Sequence, residues 1–274
     1  MQIPLEDNVG DIIGKAQRGL RISDSQLEEK SGLSADRIRK LREGILDGDA
    51  LDRVAPILQL DLRALRKLAS GEWSAASVGD IEGLAQFNTP YHDITVNAYL
   101  VWDPSSRAAV AFDTGADCGG MIRRIEKEEL TVKLILLTHA HGDHIVDLPK
   151  LKERTGAPVF ISELEHAEGA QSIVEGRKFQ VGTLQIEARL TSGHSVGGMT
   201  YVIRGLAKPI AIVGDSLFAG SMGGGMISYA DALRNNLEKI LTLPDDTILC
   251  PGHGPLTTVG EEKQHNPFFA GQIK

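Results

Sequence analysis

Thr138-His139-Ala140-His141-Gly142-Asp143-His144 places three histidines and one aspartate within six residues of the chain. The apolar run just before it, residues 132–137, predicts a buried strand, because a short run of this kind is typical of a sheet interior. Side chains at the end of such a strand lie on a loop that the sheet holds in place. The first two histidines can point to one side of this loop, and the glycine turn can bring the aspartate and the third histidine to a second point nearby. The spacing therefore suggests two adjacent metal ions.

Three further candidate ligands each follow a short apolar run that also predicts a strand. They are His194, Asp215 and His253. A glycine precedes each of them, which allows the backbone to approach a neighbouring group closely. A single histidine of this kind would ordinarily be a polar loop residue. The ordered set predicts that five histidines and two aspartates meet at four strand ends.

The H-x-H-x-D-H block, followed by a later His, Asp and His in this order, resembles the metallo-β-lactamase-fold hydrolases from roughly Val78 to the C-terminus. The resemblance implies an α/β domain built as an αββα sandwich, with the metals along one edge of its two mixed sheets. It assigns a first metal to His139, His141 and His194, a second metal to Asp143, His144 and His253, and a bridging position to Asp215. Asp113, at the end of another predicted strand, resembles a residue that orients a metal ligand without binding the metal.

Residues 1–70 have helical periodicity and predict five short helices without a strand. A short helix, the Ser-Gly-Leu-Ser turn of residues 31–34 and another short helix resemble the helix-turn-helix of phage-repressor-like DNA-binding domains. The resemblance makes the third helix the recognition helix. Its basic residues, which could contact phosphates or base edges, are Arg37, Arg39, Lys40 and Arg42. The alternative is a small helical bundle that serves packing or dimerisation.

The charge distribution bears on these two alternatives. The chain carries a formal net charge of -8, and residues 1–70 contain twelve Lys and Arg and twelve Asp and Glu. The acidic excess therefore lies in residues 71–274. Tight DNA binding usually requires a basic surface, so the neutral balance favours the packing or dimerising role over DNA binding.

The predicted domain organisation is a helix-turn-helix-like domain at 1–70, a linker at 71–77 and a metallo-β-lactamase-fold domain at 78–274. Two cysteines, Cys118 and Cys250, argue against a disulfide scaffold and fit a reducing cytoplasm. Early apolar runs are too short for a signal peptide or membrane helix, so we expect a cytoplasmic protein with no membrane partner. Association into a homo-oligomer stays open.

The predicted chemistry follows from the metal pair. Two divalent ions about 3.5–4 Å apart can share a hydroxide and lower the pKa of its parent water. One ion can also polarise a substrate carbonyl, so the site needs no serine or cysteine nucleophile. Asp143 is placed to orient the hydroxide or to pass a proton, besides its role as a ligand. Histidine and carboxylate ligands suit zinc, iron and manganese alike, and zinc is the expected metal.

The resemblance extends to the glyoxalase II-like (hydroxyacylglutathione hydrolase-like) subgroup, because Asp215 stands where a bridging carboxylate rather than a cysteine ligand is found. It implies an enzyme that hydrolyses a small-molecule thioester or a related activated ester. Three alternatives stay open: a lactonase, a persulfide dioxygenase with a single iron, and a DNA-binding regulator whose metal domain acts as a sensor.

Overall fold

The computed structural model describes residues 3–272 of the chain, and residues 9–70 are built from helices alone. The five helices are α1 (Val9–Gly19), α2 (Asp24–Ser31), α3 (Ala35–Arg42), α4 (Gly48–Ile57) and α5 (Leu62–Ser70). Each follows a polar residue whose side chain accepts a hydrogen bond from a backbone N–H of the first turn, which favours a helix start there. The α1 helix starts at Val9, because Asn8 forms a capping box with Asp11.

The first of two sheets has six strands in sequence order. They are β1 (Leu84–Tyr91), β2 (Ile94–Trp102), β3 (Ala108–Phe112), β4 (Thr131–Leu136), β5 (Val159–Ser162) and β6 (Ala170–Ile173). The pairs from β1 to β3 are antiparallel, and those from β3 to β6 are parallel. Its helices are α6 (Gly119–Lys127), α7 (Gly142–Ile145) and α8 (Leu148–Thr155). The parallel pairs place the ends of β3 and β4 at one edge of this sheet.

The second sheet also has six strands, in the order β12-β11-β10-β9-β8-β7. They are β7 (Lys178–Val181), β8 (Leu184–Leu190), β9 (Met199–Arg204), β10 (Ile210–Gly214), β11 (Ile248–Pro251) and β12 (Thr257–Thr258). Its helices are α9 (Tyr229–Asn235), which continues into a π-helical turn at Asn236–Ile240, and α10 (Val259–His265). Only β10 and β11 pair in parallel within this sheet as described, so their carboxyl ends lie side by side.

Alternating apolar side chains of both sheets form a core between them. Tyr99 and Phe112 of the first sheet and Tyr201 and Ile212 of the second are buried in this core. Cys250 is buried there too and is not part of the ligand cluster. A separate apolar cluster covers the other face of the first sheet under α6 and α8. The predicted two-sheet α/β sandwich, preceded by helices, is confirmed.

The N-terminal helices share one apolar cluster with the outer face of the second sheet. This cluster joins Ile13 of α1 and Leu65 of α5 to Leu217, Ile240 and Phe268. A backbone hydrogen bond of 2.8 Å, from the N–H of residue 61 to the carbonyl of residue 267, ties the two parts together. The N-terminal helices therefore cover this face of the sandwich.

The segment predicted as a linker, residues 71–77, is anchored by Trp73. Its side chain is 8% exposed and packs in a small cluster with Ala75 and Ala219. The Trp73 Nε1–H donates a hydrogen bond of 2.8 Å to Glu261 Oε2 on α10. The sequence pattern gave no sign of this contact, because its partners lie far away in the chain. The domain boundaries at 70 and 77 stay predictions.

Glu262 of α10 is fully buried beneath the same helices. Its carboxyl accepts hydrogen bonds from Thr257 Oγ1 (2.7 Å), Asn266 Nδ2 (2.8 Å) and the backbone N–H of Gly220 (3.0 Å). Burial raises its pKa from 4.5 to about 7, although these donors act in the opposite direction. Glu262 thus connects β12, the residue that follows α10 and the loop that contains Gly220.

Among residues 3–272, none of the helices is long and apolar enough to cross a membrane.

Candidate metal centre

The candidate ligands lie at the edge where β4, β10 and β11 end. The loop after β4 carries the first two histidines of the ligand block, and the short α7 turn brings Asp143 and His144 round. Asp215 and His253 follow β10 and β11, whose parallel pairing places both residues at the same edge. His194 comes from the loop between β8 and β9. The topology alone therefore brings four separate segments together.

One group of side chains is formed by His139, His141, His194 and Asp215. The Nδ1 atom of His141 lies 3.0 Å from Nε2 of His139 and 3.1 Å from Nε2 of His194. The Oδ2 atom of Asp215 lies 3.3 Å from Nε2 of His194. One ligand atom from each of the four lies within 4.8 Å of all the others, which is a spacing that a single cation can use.

A second group is formed by Asp143, His144 and His253. The Oδ2 atom of Asp143 lies 3.3 Å from Nε2 of His253 and 3.6 Å from Nε2 of His144. Asp215 reaches this group as well, with Oδ1 3.3 Å from Nε2 of His144 and Oδ2 3.4 Å from Nε2 of His253. The structure thus brings all seven predicted side chains together, with Asp215 between the two groups.

The residues of this site fit a pair of cations. Nε2 of His144 and Oδ1 of Asp215 are buried and lack a hydrogen-bond partner within residues 3–272. Buried polar atoms almost always have a partner, so two orphaned atoms that face each other indicate a place for a cation. Gly252 supports this packing, because a Cβ atom there would lie 2.1 Å from Asp215 Oδ1. Imidazole and carboxylate donors suit zinc, iron and manganese.

Asp113 lies directly behind the ligand block, where the sequence placed a residue that orients a ligand. Its carboxylate accepts hydrogen bonds from the backbone N–H of Thr138 (2.7 Å), from Thr138 Oγ1 (2.7 Å) and from Nδ1 of His144 (2.9 Å). The proton on Nδ1 leaves the lone pair of His144 Nε2 directed into the site. Such support typically fixes the ring orientation of a metal-binding histidine.

Three other contacts, which the sequence analysis missed, orient three of the four remaining rings. Nδ1 of His253 donates to the carbonyl oxygen of Thr95 (2.7 Å), and Nδ1 of His194 donates to that of Gly224 (3.2 Å). His139 Nδ1 lies 3.0 Å from Thr138 Oγ1 and donates to it, since that hydroxyl gives its own proton to Asp113. A carbonyl acceptor leaves no sequence signal. Thr138 is the exception among the three acceptors, because its partner atom belongs to a side chain and it directly precedes His139 in the sequence.

The pKa values of the site follow from its charges. Burial lowers the pKa of His144, but the carboxylates of Asp215 and Asp113 outweigh burial and raise it to about 10. The pKa of His253 rises to about 11 for similar reasons, with Asp215 and Asp143 outweighing burial. Burial and the neighbouring His144 hold the pKa of His139 well below its usual range. A cation must therefore displace protons from the second group, which makes its affinity dependent on pH.

The predicted DNA-contacting residues lie on α3, where each is paired with a carboxylate. Arg37 contacts Asp47 (2.6 Å) and Asp49 (2.9 Å). The other pairs are Arg39 with Asp36 and Glu43, Lys40 with Asp36, and Arg42 with Asp24. These pairs neutralise the basic side chains that the helix-turn-helix resemblance singled out. DNA binding stays a prediction.

With this fold and this site, the chain belongs to the metallo-beta-lactamase superfamily, whose sequence model matches residues 93–253. The superfamily supports a metal-dependent hydrolase with a two-metal site, and the His and Asp cluster lies entirely within the matched region. Residues 1–92, including all five N-terminal helices, lie outside the match.

Individual relatives are similar over the same region. The probable metallo-hydrolase YqgX of Bacillus subtilis is 32% identical over 208 residues, which cover 66% of this chain and 96% of that protein. The hydroxyacylglutathione hydrolase GloC of Haemophilus influenzae is 32% identical over 198 residues, covering 63% of this chain and 92% of that protein. The crystal structure of TTHA1623 in a di-iron-bound form has a TM-score of 0.56 and 27% identity, and covers 67% of this chain and 100% of that one.

Proposed function

We propose that the protein hydrolyses a small-molecule thioester or a related activated ester with two divalent metal ions. The observation that carries the proposal is the position of Asp215, whose oxygens lie within 3.3–3.4 Å of His194 in one group and of His144 and His253 in the other. A carboxylate between two ligand groups can hold both ions at once. Zinc is the first choice, and the di-iron form of a similar structure supports iron as the alternative.

The two ligand groups divide the metal-binding work. His139, His141 and His194 would hold one ion, Asp143, His144 and His253 would hold the other, and Asp215 would contact both. When bound, such an ion pair supplies an activated water molecule as nucleophile and a Lewis acid for the substrate carbonyl. Asp113 and Thr138 keep two of the imidazole rings in the tautomer that directs Nε2 into the site.

Asp143 has a second role in this proposal. Burial raises the pKa of its carboxyl, but His253 and His144 outweigh burial and lower it, so the group is ionised at neutral pH. Its Oδ2 can then accept a hydrogen bond from the attacking water and hold the proton as the tetrahedral state forms. The ring of Phe218 packs edge-on against that of His253, with 5.6 Å between the ring centres.

The thioester is supported by the relative GloC, a hydroxyacylglutathione hydrolase 32% identical to this chain. A thiolate leaves without prior protonation, which suits a site with few proton donors. A lactone is the main alternative, since its carbonyl would use the same residues. Persulfide dioxygenation by a single iron would leave part of the seven-residue cluster unused, and two complete ligand groups argue for the dinuclear reaction.

The test is metal analysis of protein purified without added metal, combined with a panel of thioesters, lactones and phosphodiesters. We expect about two ions per chain and hydrolysis of S-lactoylglutathione, lost on chelation and restored by added metal. Hydrolysis of lactones alone would transfer the assignment to that class. A metal-loaded protein that hydrolyses neither class would overturn the proposal. For Asp143→Asn, full metal content together with full turnover would remove the proposed proton-holding role.

A further inference from the structure

A cleft of about 530 Å3 lies between the end of α1 and the loop before α9. One wall is formed by Lys15, Arg18, Gly19 and Arg21, and the other by residues 224–230. We call it the α1 cleft. Its size is within the range of small-molecule sites. The α1 wall lies outside the region matched by the superfamily, so it is a feature of this chain's own N-terminal helices.

The α1 cleft is positively charged. Lys15 lines the wall, but its ammonium group already has partners. It pairs with Asp7 and donates a hydrogen bond of 2.9 Å to the carbonyl of Met222. Arg18 and Arg21 are exposed, and within residues 3–272 neither forms an ion pair with a carboxylate. This differs from α3, where every basic side chain has an acidic partner. No acidic residue is among the described residues that line the cleft.

The opposite wall connects the α1 cleft to the candidate metal centre. Gly224 lines the cleft, and its carbonyl oxygen accepts the hydrogen bond from Nδ1 of His194 (3.2 Å). Nζ of Lys15 lies 4.9 Å from the centre of the Phe218 ring, which in turn packs on His253. One layer of residues therefore separates the cleft from two candidate ligands. The cleft and the candidate metal centre therefore share the loop that contains Gly224.

The cleft also offers apolar surface. Met226 and Ile227 are 78% and 59% exposed, so both present apolar surface to solvent beside the cleft. Tyr229 forms the floor, with its ring against Gly19, where a Cβ atom would lie only 2.2 Å from the ring. Two free guanidinium groups next to apolar side chains suit a ligand that has an apolar segment and an anionic end.

We infer that the α1 cleft binds the anionic thiol part of the substrate, with Arg18 and Arg21 as its cationic partners. The inference rests on the proposed thioesterase function and specifies its substrate class. Guanidinium groups bind carboxylates and phosphates with paired N–H donors. The anion is therefore a carboxylate, as in a glutathione thioester, or a phosphate, as in a coenzyme A thioester, and the two are separated by experiment.

The test compares the double variant Arg18→Gln/Arg21→Gln with wild type and with Arg63→Gln. Arg63 is an exposed arginine of α5 and lines a different surface, so it controls for the loss of positive charge. Each metal-loaded protein is assayed with the lactoyl thioesters of glutathione, coenzyme A and the neutral thiol N-acetylcysteamine. If the double variant loses more kcat/KM with the glutathione thioester, the bound anion is a carboxylate. If it loses more with the coenzyme A thioester, the bound anion is a phosphate.

We expect the ratio of kcat/KM for the anionic to the neutral thioester to fall by roughly 2- to 30-fold in the double variant, because two exposed ion pairs are lost. The fall should appear mainly in KM, and Arg63→Gln should keep the wild-type ratio. Raising the salt concentration should reduce the wild-type ratio and leave that of the double variant nearly constant. An unchanged ratio in the double variant would overturn the inference while leaving the proposed function intact.

A binding measurement keeps the test decisive if no thioester is hydrolysed. Isothermal titration calorimetry with S-methylglutathione and with coenzyme A uses ligands that carry the anion without a scissile bond. Binding to wild type that weakens in the double variant, but not in Arg63→Gln, supports the cleft even if the proposed reaction fails. Absence of binding to wild-type protein by both ligands would overturn the inference.

Discussion

Replacement of Asp113 by asparagine should weaken metal binding at the group that contains His144. The carboxylate accepts three hydrogen bonds, from the backbone N–H and Oγ1 of Thr138 and from Nδ1 of His144. An asparagine has one acceptor oxygen, so its NH2 group must face at least one of these donors. If His144 loses its acceptor, its proton can move to Nε2, 3.3 Å from Asp215 Oδ1, where it competes with the cation.

The size of the effect follows from the bond that is lost. A buried hydrogen bond to a charged group contributes about 1.5–3 kcal/mol. At about 1.4 kcal/mol for each factor of ten, this corresponds to a roughly 10- to 150-fold loss of affinity. Residues that hold metal-binding histidines from behind typically contribute about 10- to 100-fold, so the two estimates agree. The group with His141 and His194 makes no contact with Asp113 and should lose less.

The assay is a competitive titration of metal-free protein against a chromophoric chelator, which yields an affinity for each ion. A matched control is Asp103→Asn, because Asp103 is also buried and hydrogen-bonded but lies at the opposite end of the antiparallel β2–β3 pair. The control separates general destabilisation from loss of ligand orientation. Wild-type affinity for both ions in Asp113→Asn, or an equal loss in the control, would refute the reasoning.

Three further outcomes are expected. Asp215→Ala should reduce the metal content from about two ions per chain to one or fewer by elemental analysis, since both groups share its carboxylate; two retained ions would contradict the bridging position. Because burial raises the pKa of Glu262 from 4.5 to about 7, its protonated form stabilises the fold by on the order of 3 kcal/mol below pH 4.5, and this is lost as the pH rises through 7. Glu262→Gln should lack that loss in denaturant titrations across this window; parallel curves for the two proteins would refute the assignment. Since the basic residues of α3 are paired with carboxylates, we expect no salt-dependent DNA binding by the full chain; a linear dependence of log affinity on log salt would show that these pairs open for phosphates.

The seven-residue cluster could be predicted because it depends on local patterns, whereas the sandwich was implied by the resemblance to the metallo-β-lactamase-fold hydrolases. Each ligand follows an apolar run that forms a strand, and parallel pairing then places the strand ends at one edge. The glycine before His253 was expected to allow a close approach, and Gly252 does lie against Asp215. The turn predicted at residues 31–34 was likewise a local signal, and in the structure α2 ends at Gly32 and α3 starts after Ser34.

Contacts between distant segments could not be predicted from one sequence. The packing of Trp73 depends on Ala219 and Glu261, which lie almost 150 residues or more along the chain. The carbonyl groups that orient His194 and His253 are backbone groups of Gly224 and Thr95, and a backbone group leaves no signal in the sequence. The α1 cleft was missed for the same reason, since its two walls are joined only by the tertiary fold.

The shared apolar cluster has a practical consequence for dissecting the protein. Deleting the first seventy residues would remove the helices that pack on Leu217, Ile240 and Phe268 and would expose a large apolar surface to water. Such a fragment would aggregate or lose its native shape, so its inactivity would say nothing about chemistry. The intact protein should unfold in one calorimetric peak, with its first seventy residues and its metal-binding portion unfolding together.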